Sequence, residues 1–124
     1  MVVQCMKQKR KILIVDDCLA DIILIKRQLK QAGIEGIIHS VDAGERLVEI
    51  IKQLRYDYII SDYNLLNETG LSFFRRLKLN HVKVKFVLIS DKIEENLRDE
   101  AYDEGVYMCV EKSDLGKRIG SIFG

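Results

Sequence analysis

The chain has 124 residues, which is the length of one domain. Hydrophobic residues make up 48% and charged residues 31%, and these proportions exclude a disordered chain. Lys and Arg number 20 against 19 Asp and Glu, so the formal net charge of +1 gives no basic field that favours nucleic acid. No apolar run is long enough to span a membrane, and the first residues lack the apolar core of a signal peptide. We therefore expect a cytoplasmic protein that binds neither nucleic acid nor membranes directly.

The cysteines and histidines form neither a disulfide nor a zinc pattern. Cys5, Cys18 and Cys109 are odd in number and widely spaced, which argues against a disulfide framework and against zinc ligands. His39 and His81 lie far apart in the sequence without a partner motif. We therefore expect each histidine to be a surface or loop residue.

A short basic segment precedes an alternation of two apolar patterns. Residues 1–10 are expected to form a solvated basic tail, and residues 11–124 a single domain. Continuous apolar runs predict five strands, at 12–15, 37–41, 58–60, 86–89 and 107–110. After each run, apolar residues recur at spacings of three and four, which predicts an amphipathic helix. These stripes are Ile22, Ile25, Leu29 and Ala32; Leu47, Ile51 and Leu54; Leu71, Phe74 and Leu77; Ile93, Leu97 and Ala101; Leu115, Ile119 and Ile122.

Strands that alternate with helices predict a doubly wound α/β fold. Such strands pair in parallel and are joined by right-handed helical crossovers. Because the strands are continuous apolar runs, we expect helices to cover both faces of the sheet. Ligands of these folds bind at the carboxyl ends of the strands, so the residues that follow each strand are the candidates for function.

Polar residues follow the predicted strands. Asp16 and Asp17 follow strand one, Asp62 ends strand three, Ser90 ends strand four, and Lys112 lies just after strand five. Two carboxylates about 4 Å apart repel each other by about 4 kcal/mol at an effective dielectric of 20, so a cluster of them requires a cation. The candidate ligands are all oxygens, which favours a hard ion such as Mg²⁺.

Each of these residues also has a purely structural interpretation. An aspartate at the end of a strand commonly starts a turn or caps a helix, and Lys112 could form a structural ion pair with the acidic residues. Together, however, the residues could supply a nucleophile, a metal site and two donors to a phosphoryl group. A carboxylate nucleophile that is ionised at neutral pH needs no general base, and phosphoryl transfer requires mainly positioning and charge neutralisation.

Five short motifs resemble the receiver domain of response regulators in two-component signalling, the chemotaxis-regulator-like family. The matching stretches are ILIVDD at 12–17, YIISD at 58–62, Gly70, VLIS at 87–90, and Gly105 followed by Lys112. They occur in the family's order and spacing over about residues 10–124. The resemblance implies a flavodoxin-like fold, a doubly wound five-stranded parallel sheet in the order 2-1-3-4-5 with helices on both faces.

The resemblance also implies a phosphoacceptor and a metal site. Asp62 would accept a phosphoryl group from a phosphohistidine on a histidine kinase or a histidine phosphotransfer protein. Asp17 would bind Mg²⁺ (or Mn²⁺) directly and Asp16 would assist, while Asp62 and the backbone carbonyl of Asn64 would complete the protein's ligands. Hydrolysis of the acyl phosphate would reset the site, so the domain would be a signalling phosphoacceptor rather than a conventional turnover enzyme.

Two further residues and one surface have implied roles. Ser90 would donate a hydrogen bond to a phosphoryl oxygen, and Lys112 would pair with the phosphoryl group, or with Asp62 before transfer. In the family, the hydroxyl after strand four then moves, and an aromatic residue on strand five turns inward. The face built by helix four, strand five and helix five changes as a result, and downstream protein partners recognise that face.

Four positions depart from the family's pattern. Cys109 occupies the usual place of the switch aromatic, and we expect it to be a small buried apolar residue. Ser113 replaces the proline after the lysine, which predicts a trans bond or a strained cis bond. Leu66 replaces another common proline, so we expect a less rigid loop. Asp91 replaces a small residue after Ser90, and we expect it to cap helix four.

These departures keep other functions open. The main alternative is a receiver-like interaction module whose output does not depend on phosphorylation. A Mg²⁺-dependent phosphohydrolase with Asp62 as nucleophile is weaker, because some such enzymes have an acid where this chain has Asn64. A flavin-binding relative is weaker still, because the acidic loop after strand one would repel phosphate.

Overall fold

The computed structural model describes residues 10–44 and 46–124. Its five strands are β1 (Arg10–Val15), β2 (Gly36–Val41), β3 (Tyr58–Asp62), β4 (Lys85–Ser90) and β5 (Met108–Glu111). Its helices are α1 (Leu19–Gln31), α2 (Leu47–Leu54), α3 (Gly70–Leu79), α4 (Glu95–Glu104) and α5 (Leu115–Phe123), with a 3₁₀ turn at Lys112–Asp114. The predicted basic tail lies outside the described residues except for Arg10, which pairs with Gly36 and so belongs to the sheet.

The strands form one parallel sheet in the order β2-β1-β3-β4-β5, which confirms the predicted fold class. Successive residues of β1 point to opposite faces of the sheet. Ile12 and Ile14 pack on the face covered by α1 and α5, whereas Leu13 and Val15 pack on the face covered by α2, α3 and α4. All four are almost fully buried, which explains why this strand is a continuous apolar run. Within the described part of the chain, no helix is long and apolar enough to cross a bilayer.

The edge strand β2 departs from the expected burial on both faces. Residues alternate between exposed and half-buried along β2, and Ile37 and His39 are exposed. The Nδ1 atom of His39 lies 2.6 Å from the hydroxyl oxygen of Tyr56, which holds the ring against the sheet edge. A strand at the edge has fewer neighbours than a central one, so part of its apolar surface remains in water.

Helix α4 begins later than the sequence pattern predicts. Ile93 is buried but precedes the helix, whose first residue is Glu95. The expectation that Asp91 caps this helix was therefore wrong, because the N-cap position is Glu94 and its side chain makes no capping hydrogen bond. The segment before α4 is instead attached to β5, since the backbone N–H of Ile93 donates to Glu111 Oε2 at 2.9 Å. Helix α4 ends at Gly105, which has a left-handed φ of 104°.

The loop between β3 and α3 is closed by a tight backbone approach at Gly70. The N–H of Gly70 donates to the carbonyl oxygen of Tyr63 at 2.6 Å, and Thr69 caps the helix by accepting from the N–H of Ser72. A Cβ atom at position 70 would lie 2.4 Å from the backbone oxygen of Asp62 and 2.8 Å from Leu88 Cδ1. Only glycine leaves room for this approach, so Gly70 fixes the path of the chain beside Asp62.

We predict that Gly70→Ala lowers the free energy of unfolding by about 1–3 kcal/mol, because the added methyl group forces backbone atoms apart. Urea unfolding followed by circular dichroism measures this change. Gly120→Ala is the matched control, because a Cβ atom there meets nothing within 4 Å and alanine favours the α5 helix. Equal stability of Gly70→Ala and the native protein would contradict the role assigned to Gly70.

Candidate functional site

Two buried carboxylates meet at the carboxyl edge of the sheet. Asp16 directly follows β1, and Asp62 ends the neighbouring strand β3. The exposed fraction is 0% for Asp16 and 6% for Asp62. Asp16 Oδ1 accepts a hydrogen bond from the backbone N–H of Cys18 at 2.8 Å, and Asp62 Oδ1 accepts one from the N–H of Asn64 at 3.3 Å. Each carboxylate is therefore oriented by the turn that follows its strand.

Helix α1 adds a third carboxylate, which the sequence analysis missed. Asp21 lies in the first turn of α1. One carboxylate oxygen each from Asp16, Asp21 and Asp62 lies within 4.8 Å of the others. The available signal was an acid in the first turn after β1, beside the buried stripe that begins at Ile22. We call Asp16, Asp21 and Asp62 the acidic pocket.

Lys112 supplies an ammonium group to the acidic pocket. It begins the 3₁₀ turn after β5, and its Nζ lies 2.7 Å from Asp21 Oδ2 and 3.3 Å from Asp62 Oδ2. Burial alone would lower the pKa of Lys112. The hydrogen bond with Asp21 and the charges of Asp62 and Asp16 outweigh burial, and they raise this pKa above its ordinary value. The ammonium group thus remains charged where it joins α1 to the end of β3.

One oxygen of the pocket has no partner. Among the described residues, Asp16 Oδ2 makes no hydrogen bond although it is buried. Burial is the main reason that the pKa of Asp16 is raised to about 6, and the charge of Asp62 raises it further against the opposing hydrogen bond from Cys18. A buried carboxylate oxygen without a donor is costly unless a cation satisfies it. Asp16 is therefore oriented but electrostatically unsatisfied.

Asp17 lies on the same edge but has different partners. Its side chain is exposed, with Oδ1 3.2 Å from the backbone N of Ala43 and Oδ2 2.5 Å from that of Leu66. A proline at position 66 would have no N–H to donate, so Leu66 makes the second hydrogen bond possible. In this structure Asp17 joins the loops after β2 and β3, and it is not part of the acidic pocket.

Ser90 and Asn64 flank the pocket. Asp62 pairs with Ile89 in the sheet, so Ser90 lies one residue further along β4 at the same edge, and it is buried. Asn64 is exposed in the loop after β3, two residues beyond Asp62. These positions put Ser90 and Asn64 at the same edge of the sheet as Asp62.

The region of the expected aromatic switch is built differently from the family's pattern. Cys109 is 1% exposed and packs in the core beneath α4, as expected for a small apolar residue. Burial raises the pKa of its thiol, so the group stays protonated. The backbone N–H of Cys109 donates to the hydroxyl of Tyr102 on α4 at 3.0 Å. The peptide bond between Lys112 and Ser113 is trans, which is one of the two geometries anticipated for a serine there.

The acidic pocket suits a hard divalent cation. Its ligands are carboxylate oxygens, it holds three negative charges against one ammonium group, and Asp16 Oδ2 is free to coordinate. Mg²⁺ and Mn²⁺ prefer oxygen ligands of this kind. The chemistry of the residues therefore fits the ion expected from the sequence. In the structure, however, Asp21 rather than Asp17 joins Asp16 and Asp62 in the pocket.

A β2-β1-β3-β4-β5 sheet with an acidic pocket and a lysine at its carboxyl edge defines a class of protein. The model of the response regulator receiver domain matches residues 12–119, which is most of the chain. The chain therefore belongs to the receiver domain family of response regulators, the family that the sequence analysis suggested.

Individual relatives agree with this assignment. The cell cycle response regulator CtrA of Brucella ovis is 28% identical over 116 residues, which cover 90% of this chain and 49% of CtrA. The chain thus spans about half the length of the curated relatives it matches. A response regulator from Hahella chejuensis is 27% identical with a TM-score of 0.76, covering 93% of this chain and 92% of the other. The chemotaxis protein CheY4 of Vibrio cholerae has the same fold, with a TM-score of 0.77 at 19% identity and coverages of 93% and 99%.

We predict that Asp16→Asn stabilises the metal-free protein. Asparagine retains the oxygen that accepts from Cys18, removes one buried negative charge and offers an N–H₂ group to the neighbouring carboxylates. The gain is expected to be about 1–4 kcal/mol, which is the interaction of two unit charges 4 Å apart in water and at an effective dielectric of 20. Urea unfolding in the presence of a chelator at neutral pH measures it.

Asp17→Ala is the contrasting variant. It removes two hydrogen bonds from backbone amides to a charged acceptor, so we expect lower stability under the same conditions. If Asp16→Asn were also destabilising, repulsion within the acidic pocket would not be a significant cost to the fold.

Proposed function

We propose that this receiver domain accepts a phosphoryl group on Asp62, in a reaction that requires Mg²⁺ or Mn²⁺. The donor is a phosphohistidine of a histidine kinase or a histidine phosphotransfer protein. The single observation that supports this most is the placement of Asp62 between a charged lysine and a buried carboxylate with an unpaired oxygen. These surroundings favour the addition of an anionic phosphoryl group to Asp62 when a divalent cation binds at the same site.

The side chains of the pocket divide the work of the transfer. One oxygen of Asp62 attacks phosphorus, the bond from phosphorus to the histidine nitrogen breaks, and that nitrogen keeps the electron pair and takes up a proton. Lys112 lies beside Asp62 Oδ2 and neutralises charge on the phosphoryl oxygens. Asp62 Oδ1 is held by the N–H of Asn64, so the carboxylate is fixed before the donor arrives.

The metal ligands we propose are Asp16, Asp62 and the backbone carbonyl of Asn64, whereas Asp21 remains paired with Lys112. Asp17 joins the metal ligands if its carboxylate leaves the amides of Ala43 and Leu66. When bound, the divalent ion supplies a positive charge that draws electron density from the phosphoryl oxygens. Asp16 Oδ2 is the atom that gains most from it, because it is otherwise unsatisfied.

Ser90 and α4 would carry the signal away from the pocket. Ser90 donates its hydroxyl to a phosphoryl oxygen, and the segment after it is tied to β5 through Ile93 and Glu111. Helix α4 is tied to the same strand through Tyr102 and Cys109. A shift of Ser90 would therefore reach the surface formed by α4, β5 and α5, which we propose as the surface that downstream protein partners bind.

We predict that incubation with acetyl phosphate and Mg²⁺ adds one phosphoryl group to the protein, measured as intact mass. Asp62→Asn should abolish the adduct, because it removes the nucleophile. A chelator should also prevent it. Asp103→Asn is the matched control, because Asp103 is an exposed aspartate on α4 away from the pocket, and it should form the adduct as the native chain does.

The same measurement tests the alternative of a phosphorylation-independent interaction module. Absence of an adduct from acetyl phosphate and from a phosphorylated histidine donor would contradict our proposal and favour that alternative. Continuous release of phosphate from many esters would instead favour a phosphohydrolase.

A further inference from the structure

Asp21 competes with the proposed phosphoacceptor Asp62 for Lys112, the only ammonium group that contacts the acidic pocket among residues 10–44 and 46–124. Lys112 Nζ lies 2.7 Å from Asp21 Oδ2 but 3.3 Å from Asp62 Oδ2, so the shorter contact is with Asp21. The Lys112 and Asp62 side chains are 18% and 9% exposed, and that of Asp21 is 30% exposed. Asp21 thus holds the lysine from the solvent side of the pocket.

The position of Asp21 is rigidly set by α1. Ile22, Ile25 and Leu29 are buried beneath this helix, so the first turn cannot move freely away from the sheet. An acid in the first turn of a helix is favoured by the helix dipole wherever it points. The dipole does not explain why this acid meets Lys112, which lies in the 3₁₀ turn after β5 and is 91 residues away in the sequence.

The charge of Asp21 works against phosphorylation. At rest, its carboxylate is one of three that face a single ammonium group. After transfer, a phosphoryl group with about two negative charges replaces the single charge of Asp62. Asp21 is then a like charge within a few ångströms of the phosphoryl group, and it holds the lysine that would neutralise it.

We propose that Asp21 is a positioning residue that retains Lys112 in the resting state and thereby restrains phosphoryl acceptance by Asp62. The phosphoryl group must draw Lys112 away from Asp21, or share it, for the adduct to form. This inference rests on the proposed phosphoacceptor function of Asp62. The carboxylate of Asp21 would thus control how readily Asp62 is phosphorylated.

The first test compares the rate of adduct formation in the native chain, Asp21→Asn, Asp21→Glu and Asp103→Asn. Acetyl phosphate is limiting, Mg²⁺ is saturating, and the readout is intact mass over time. We expect Asp21→Asn to react about three- to fivefold faster, as for the loss of a solvent-accessible ion pair. Asp21→Glu, which keeps the charge, should stay close to the native rate, as should Asp103→Asn. An unchanged or slower rate in Asp21→Asn overturns the proposal.

A second test asks whether Asp21 acts through Lys112. In a Lys112→Gln background, Asp21→Asn should change the rate by less than twofold, because there is no ammonium group to release. An equal acceleration in both backgrounds would show that Asp21 acts only by repelling the phosphoryl group, which overturns the positioning role. Circular dichroism establishes that the double variant folds. If it does not fold, the reactivity of Lys112 in Asp21→Asn, described next, decides the positioning role.

A third readout does not depend on phosphorylation. Lys112 should react faster with an amine-selective reagent in Asp21→Asn than in the native chain, as located by peptide mass mapping. Unchanged reactivity would contradict the claim that Asp21 retains Lys112.

If neither the native chain nor Asp21→Asn forms an adduct, the proposed phosphoacceptor function fails and the restraint by Asp21 fails with it. If the native chain forms the adduct and Asp21→Asn is no faster, the restraint alone fails.

Discussion

The repulsion among three carboxylates at the carboxyl edge of the sheet is the constraint on which the site depends. Asp16 and Asp62 are almost fully buried, and Asp21 closes the pocket from the helix side. Lys112 is the one ammonium group that contacts them among the described ion pairs, and it cannot neutralise all three. The fold therefore holds an excess of negative charge that a divalent ion can relieve. This excess of negative charge favours the binding of a metal ion.

The backbone around the pocket is arranged to maintain that imbalance. The turn after β1 orients Asp16 through the N–H of Cys18, and the turn after β3 orients Asp62 through the N–H of Asn64. The close approach of Gly70 to the carbonyl of Asp62 fixes the second turn against α3. Neither carboxylate can relax into water without disturbing the loop that holds it, so the apolar core supports an electrostatically unfavourable arrangement.

Much of this could be predicted from the sequence because the relevant residues lie at strand ends. Continuous apolar runs mark the central strands, and the carboxyl ends of parallel strands meet at one edge, which is enough to bring Asp16, Asp62 and Lys112 together. The different positions of the Asp16 and Asp17 side chains were harder to predict. Neighbouring residues of an extended chain point in opposite directions, and the partner that Asp17 finds at Leu66 depends on the path of a loop.

Asp21 and the start of α4 could not be predicted for different reasons. The apolar stripe predicts which side of α1 packs on the sheet, but whether a side chain beside that stripe reaches Lys112 depends on the distance from the helix to the end of β5. The stripe that includes Ile93 suggested an earlier start for α4. Ile93 is buried as that pattern requires, but it belongs to a loop held by Glu111. At Ile93, hydrophobic periodicity therefore predicted burial correctly but predicted helix formation incorrectly.

A calorimetric titration of the metal-free protein with Mg²⁺ tests most directly whether the charge of the acidic pocket attracts the ion. We expect one binding site, with an affinity at least about tenfold lower in Asp16→Asn, since that variant removes the unpaired buried oxygen together with about 1.4 kcal/mol or more of binding free energy. Asp103→Asn should bind as the native chain does. Absence of Mg²⁺ binding, or equal affinity in Asp16→Asn, would contradict the claim that uncompensated charge in the acidic pocket recruits the ion.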